Sequence, residues 1–163
     1  MNVIQSQWTE LLNEDSSGIE TGFIIRLIES NAGCTVFAAI EKPSLKYSLV
    51  LSVPKTAIST IDRLPESSAF RCVIADIEGL SEGYAGIVLI LDDISFEDLF
   101  VLLIEDIIAA TVSAPTPQRA VYAILNTIDH WRRFLFRCGK ALLSDEEIRG
   151  LIGELVILAC LIN

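Results

Sequence analysis

The hydrophobic pattern of this 163-residue chain changes its period once, near Asp92, and that change limits the folds available to it. Before Asp92, short runs rich in Ile, Val and aromatic residues alternate with turn residues, which is typical of β-strands. After it, apolar residues recur every three or four positions, which is typical of amphipathic helices. Strands grouped ahead of helices favour an α+β fold over an alternating α/β fold.

Five strand-like runs precede Asp92, at residues 22–28, 34–40, 47–53, 69–77 and 84–91, and a short helix is predicted before them at 4–13. The turns at 31–33 and 42–44 are too short to hold crossover helices, so neighbouring strands are expected to pair as antiparallel hairpins. The prediction is an antiparallel meander of about five strands.

Three helices are predicted to follow the sheet. Ser95 is the expected N-cap of the first, because a serine side chain satisfies free backbone amides there. The second is expected to begin with Thr116 as its cap and Pro117 at its first position. A Ser-x-x-Glu capping box at 144–147 predicts the third.

Composition excludes several classes of protein. Hydrophobic residues make up 52% of the chain, which excludes disorder. The formal charge of −10, from 22 acidic and 12 basic residues, makes the chain a poor candidate for a main DNA-contacting surface. No apolar run approaches the roughly 20 residues of a membrane-spanning helix. The four cysteines form no C-x-x-C pair, and with no signal peptide in view the expected setting is the reducing cytoplasm.

Two groups of charged residues are candidate sites, each with a plain structural alternative. Glu154 stands in an apolar helical stretch, where a carboxylate needs a partner; it either serves a site, reaches solvent or pairs with an arginine such as Arg133 or Arg149. Arg132, Arg133 and Arg137 are candidate phosphate contacts, or else they form a solvated helix end.

Two further stretches leave alternatives open. The acidic cluster Asp92, Asp93, Glu97 and Asp98 could bind a hard cation, but acidic residues are also favourable at a helix start, and this second reading is preferred. The segment 155–162 is apolar on every face, so it is expected to be covered by the other helices, by further chain or by a second subunit. A homodimer through this helix would bury the same stripe twice.

The segment Leu-Ser-Asp-Glu-Glu-Ile-Arg-Gly-Leu-Ile-Gly-Glu-Leu at 143–155 resembles one found in bacterial PD-(D/E)XK motif proteins, a restriction-nuclease-like family. Residues 116–121 and 130–135 add a second, weaker match. The resemblance implies that Glu154 is a helix glutamate preceding the catalytic strands, where it would be a supporting catalytic acid and metal ligand. It also implies Mg²⁺ as the cofactor of the full-length protein.

The chain departs from the family at the catalytic signature itself. No Pro-Asp occurs, and Ile40, Ser44, Val53 and Cys138 stand two positions before the four lysines, so no Asp/Glu-x-Lys occurs either. The family's catalytic strands are therefore expected after Asn163, and the chain alone is expected to bind no cofactor and to cut no DNA.

These features together suggest an N-terminal accessory region of a nuclease from a bacterial defence system of the restriction type. Its parts would be a helix and sheet at 1–92, a helical segment packing on the sheet at 93–143, and the first helix of a truncated nuclease-like core at 144–163. Its partner would be the remainder of the nuclease or another subunit, with DNA reached only through the full-length protein. The alternative is a small acidic, non-catalytic protein-interaction module or nuclease inhibitor.

Overall fold

A computed structural model describes residues 2–14, 18–59, 61–65, 67, 69–140 and 150, with the side chains of 137–140 excepted. Its elements in chain order are α1 (Val3–Asn13), β1 (Gly22–Ser30), β2 (Thr35–Lys42), β3 (Lys46–Pro54), α2 (Lys55–Ile58), β4 (Phe70–Ala75), β5 (Tyr84–Leu91), α3 (Glu97–Val112) and α4 (Pro117–Lys140). The α+β class and the five antiparallel strands predicted from the sequence are confirmed.

The strand order is β1-β2-β3-β5-β4, so the last two strands exchange the places that a meander would give them. Strand β5 is buried at every position after Tyr84, whereas in β4 only Phe70 is buried and the other positions are partly or fully exposed. A strand that is apolar on both faces gains most from an interior position, and β4, which carries Arg71, tolerates the edge. The predicted meander is therefore wrong at this one pairing.

The main core lies between one face of the sheet and the helices, and Trp8 of α1 lies at its centre. Its indole has no exposed surface and stacks on Tyr47 at a centroid distance of 4.7 Å and on Phe100 at 5.8 Å. Its Nε1 donates a hydrogen bond of 2.9 Å to the carbonyl oxygen of Ser48. One side chain therefore joins α1, β3 and α3, and its only polar atom is satisfied.

A second, smaller apolar cluster lies on the opposite face of the sheet. Val50, Val88 and Ile90 form its centre, and Ile77 and Leu80 from the β4–β5 connection pack over it. Both faces of the central strands are therefore covered, which is why β3 and β5 contain runs of apolar residues rather than an alternating pattern.

The helices begin partly as predicted. Thr116 Oγ1 accepts a hydrogen bond from the Arg119 amide, which confirms Thr116 as the cap of α4. Ser95 does not cap α3, because a 3₁₀ turn at Ile94–Phe96 comes first and the Asp93 side chain accepts the amide of Ser95. The predicted third helix, from Ser144 onward, lies outside the described residues apart from Gly150. Within the described ranges, no helix is long and apolar enough to cross a membrane.

The position of α4 depends on a close approach at the β1–β2 turn. A Cβ atom added at Gly33 would lie 2.9 Å from the Cβ of Ala120, 3.1 Å from the Thr116 carbonyl oxygen and 3.2 Å from that of Ala114. Only a residue without a side chain allows the turn to pack this closely against the start of α4.

We expect the substitution Gly33→Ala to lower the free energy of unfolding by about 1–3 kcal/mol, because α4 has to shift to admit the methyl group. The matched control is Gly18→Ala, since no heavy atom lies within 4 Å of a Cβ built at Gly18. Both substitutions reduce the conformational entropy of the unfolded chain, so the difference between their urea midpoints isolates the packing cost. Equal midpoints for the two variants would contradict the proposed tight contact.

Candidate nucleic-acid interface

The exposed side of α4 is the one basic helix surface in the described part of this acidic chain. The helix contains five of the chain's 12 basic residues and a single acidic residue, Asp129. Its buried side consists of Ala120, Val121, Ile124 and Ile128, which pack into the main core. The amphipathic spacing therefore determines which side chains face solvent.

The residues that face solvent follow one another at helical spacing. Five of them, Arg119, Tyr122, Asn126, His130 and Arg133, are exposed and lie three or four positions apart; we call these five the outer face of α4. The ring of Tyr122 is 73% exposed. Arg119 forms no ion pair with any described residue. Cationic and aromatic groups side by side on an exposed helix suit contact with phosphates and bases.

Asp129 moderates the charge of this surface. Arg132 donates to Asp129 Oδ1 from Nε at 3.0 Å and from Nη2 at 2.6 Å, and Arg133 Nη2 lies 2.7 Å from Oδ2. The hydrogen bonds from Arg132, with the charge of Arg133 nearby, lower the pKa of Asp129 below its ordinary value. Asp129 therefore stays ionised at neutral pH and neutralises about one of the two guanidinium charges.

The structure places two of the three predicted phosphate contacts, Arg132 and Arg133, on this helix, but both are already paired with Asp129. The side chain of Arg137 lies outside the described residues, so its role stays a prediction. The sequence analysis missed Arg119 and Tyr122. Their spacing of three and then four residues towards Asn126 was the available signal, because it places all three on the same helix face.

Glu154, the predicted supporting acid and metal ligand, lies outside the described residues, and its role also stays a prediction. The best-matching segment of the sequence resemblance, 143–155, lies outside them as well, apart from Gly150.

In the acidic cluster around Asp92, the carboxylates of Asp92 and Glu97 form hydrogen bonds with other side chains of the fold. Asp92 accepts hydrogen bonds from Lys46 Nζ at 2.6 Å and from Arg71 Nε at 2.9 Å. Burial raises the pKa of Asp92, but these bonds outweigh it and leave the pKa below its ordinary value. Glu97 Oε1 accepts Gln5 Nε2 at 2.9 Å. Within the described ranges no group of three or more His, Cys, Asp or Glu residues could hold a metal ion, and the Mg²⁺ ligand that the resemblance implies, Glu154, lies outside those ranges.

Neither Cys34 nor Cys72 is suited to act as a nucleophile. Burial raises the pKa of the Cys34 thiol and that of the Cys72 thiol to about 12. Both thiols are therefore protonated at neutral pH, and neither carries the thiolate that covalent catalysis requires.

The structure defines an α+β protein with one basic helix surface among its described residues. The chain belongs to the family described as "Putative PD-(D/E)XK family member" (DUF4420), whose model matches residues 4–163. Members of the PD-(D/E)XK group are usually metal-dependent. No curated protein and no solved structure matches the chain.

Replacing Asp129 by asparagine should strengthen binding to a polyanion, because both arginines lose the carboxylate that they share. We expect Asp129→Asn to elute from immobilised heparin at a higher salt concentration than the wild type. Its free energy of unfolding should change by less than about 1 kcal/mol, since exposed ion pairs contribute little.

The matched control for this test is Asp98→Asn, which changes the net charge equally on the exposed side of α3. Equal elution shifts for the two variants would show that net charge, and not the α4 surface, determines the retention.

Proposed function

We propose that this chain is a non-catalytic, DNA-engaging region of a metal-dependent PD-(D/E)XK nuclease from a bacterial defence system of the restriction type, acting against phage DNA. Its partner would be the remainder of the nuclease, in the same polypeptide or in another subunit. The metal would be Mg²⁺, with Glu154 among its ligands. A bound divalent ion would polarise the scissile phosphate and activate water for the attack.

Two observations support a non-catalytic role for this chain. The sequence contains neither Pro-Asp nor Asp/Glu-x-Lys. Two of the four carboxylates in the acidic cluster, those of Asp92 and Glu97, accept hydrogen bonds from Lys46, Arg71 and Gln5. Family membership supports the nuclease context, and these residues leave the hydrolytic chemistry to other parts of the protein.

The observation that carries the DNA-engaging role is the outer face of α4. A chain of net charge −10 repels DNA at long range. At 0.1 M salt, however, interactions between solvent-exposed charges are screened beyond about 10 Å. A local concentration of guanidinium groups can therefore contact phosphates on one side of the molecule. Such contacts would orient the duplex for the catalytic residues rather than read its sequence.

The use of the acidic residues argues against the alternative, an acidic module that mimics DNA. Glu10 and Glu14 both pair with Arg26, and Asp92 pairs with two bases. A DNA mimic needs free carboxylates spread over an exposed surface. Here the carboxylates of these residues form ion pairs with basic residues of the same fold, so they are not free to imitate phosphates.

Binding to duplex DNA is expected to be measurable at about 50 mM salt and to weaken steeply by about 150 mM, because each phosphate contact releases counterions. Replacing both Arg119 and Arg133 by glutamine should reduce the slope of log affinity against log salt by about 2, or roughly 1 for each lost contact. Fluorescence anisotropy with a labelled duplex of about 20 base pairs measures both quantities.

The matched control is the double variant Lys42→Gln, Lys55→Gln, which removes the same charge from the end of β2 and the start of α2. We expect this control to keep the wild-type slope. A wild type that binds no duplex at about 50 mM salt, or two double variants with equal losses, would overturn the proposal.

A further inference from the structure

A groove lies between residues 63–65, in the segment that follows α2, and the central turns of α4. It has a volume of about 590 Å³ and is open to solvent along one side. Binding sites for small organic molecules fall in the range of roughly 300–1,000 Å³, so the groove can hold one nucleotide with its phosphate. Leu64, Pro65 and Leu125 supply its apolar lining.

The polar lining of the groove is unusual for an acidic chain. Tyr122 and Asn126 lie one helical turn apart on α4, and guanidinium groups come from Arg63 and Arg132. Among the described lining residues the one carboxylate is that of Asp129, which Arg132 and Arg133 already share. The described lining therefore contains two guanidinium groups and one carboxylate, a composition that suits an anionic ligand better than a cation.

Arg132 keeps donors for such an anion. A guanidinium has five N–H groups, and Asp129 Oδ1 takes hydrogen bonds from only two nitrogens, Nε and Nη2. The pairing with Asp129 also fixes the orientation of the guanidinium plane. A phosphate oxygen could approach the remaining donors without breaking the ion pair.

Tyr122 and Asn126 can contact a nucleobase, which a site for phosphate alone would not require. An aromatic ring that is 73% exposed at the edge of a groove offers a flat surface on which a base can stack. A carboxamide presents a donor and an acceptor together, which matches the edge of a nucleobase. A stacked base must be free of its neighbours, so a paired duplex does not supply this ligand.

We propose that this groove binds a single unpaired nucleotide, with its base stacked on Tyr122, its base edge facing Asn126 and its phosphate on Arg132. The inference rests on the proposed function, because it assumes a protein that engages nucleic acid, and it adds the substrate feature that the region recognises: a strand with an unstacked base. Duplex phosphates would still lie along the outer face of α4.

The test compares one fluorescein-labelled single strand of about 12 nucleotides with a blunt duplex of the same sequence, both at about 50 mM salt. The wild type should bind the single strand more tightly. Tyr122→Ala should weaken single-strand binding by about 5- to 100-fold and duplex binding by a clearly smaller factor, because only an unpaired base can stack on the ring, and Tyr122→Phe, which keeps the stacking ring, should bind like the wild type.

Tyr84→Ala is the matched control, since Tyr84 is a second exposed tyrosine, 40% accessible, at the start of β5 and outside the groove lining. Thermal unfolding of each variant confirms that the fold is intact.

The outcomes separate this inference from the proposed function. The groove proposal is overturned if the wild type binds the duplex but not the single strand, or if Tyr122→Ala binds the single strand like the wild type. Either result leaves the proposed function standing. A fall of both affinities by the same factor in Tyr122→Ala assigns Tyr122 to the outer face alone and also overturns the groove proposal. Failure of the wild type to bind either probe overturns both proposals.

Discussion

The packing of α4 against the sheet is the constraint on which the functional surface depends. Gly33 lets the β1–β2 turn approach the first turns of the helix, and Ile124 and Ile128 are fully buried in the main core. Near its other end, Trp131 Nε1 donates to Asp106 Oδ2 of α3 at 2.9 Å. A helix held at both ends in this way has one rotational setting, and that setting decides which side chains face solvent.

The same constraint separates the charges of the molecule. Acidic residues outnumber basic ones, yet many carboxylates are used in holding the fold together, as Glu10 and Glu14 do around Arg26. The bases of α4 lie opposite its apolar stripe, and only Asp129 neutralises part of their charge. Net charge therefore describes this protein poorly, because basic residues outnumber acidic ones in the sequence of α4 although acidic residues outnumber basic ones in the whole chain.

The sequence was sufficient to predict elements whose pattern is local. The strand positions followed from alternation, and the start of α4 followed from Thr116 and Pro117. The pairing of β3 with β5 was not predictable from neighbouring residues, since it depends on burying β5 on both faces, which is a property of the whole sheet. The prediction of Ser95 as the cap of α3 was wrong because a 3₁₀ turn precedes the helix; Asp93 caps that turn, and Phe96 stands at the N-cap of α3 without a side-chain hydrogen bond.

The candidate site likewise combines features that local sequence predicts with features that depend on the tertiary fold. Arg132 and Arg133 were identified from composition, and their shared partner could have been found from the spacing of Asp129, three and four residues earlier. The groove could not have been found in this way, because residues 63–65 and Tyr122 are far apart in sequence and meet only through the tertiary fold. Glu154 rests on resemblance alone.

The central claim is that nucleic acid contacts this region through α4 and the segment beside it. Two-dimensional NMR of the ¹⁵N-labelled full chain, titrated with the single-stranded oligonucleotide, tests that claim without any substitution. The account predicts that the perturbed amides cluster in residues 61–65 and 119–136, with the amides of α1 and β1 unchanged. Perturbations centred on α1, on the acidic side of α3 or on the second face of the sheet would contradict it.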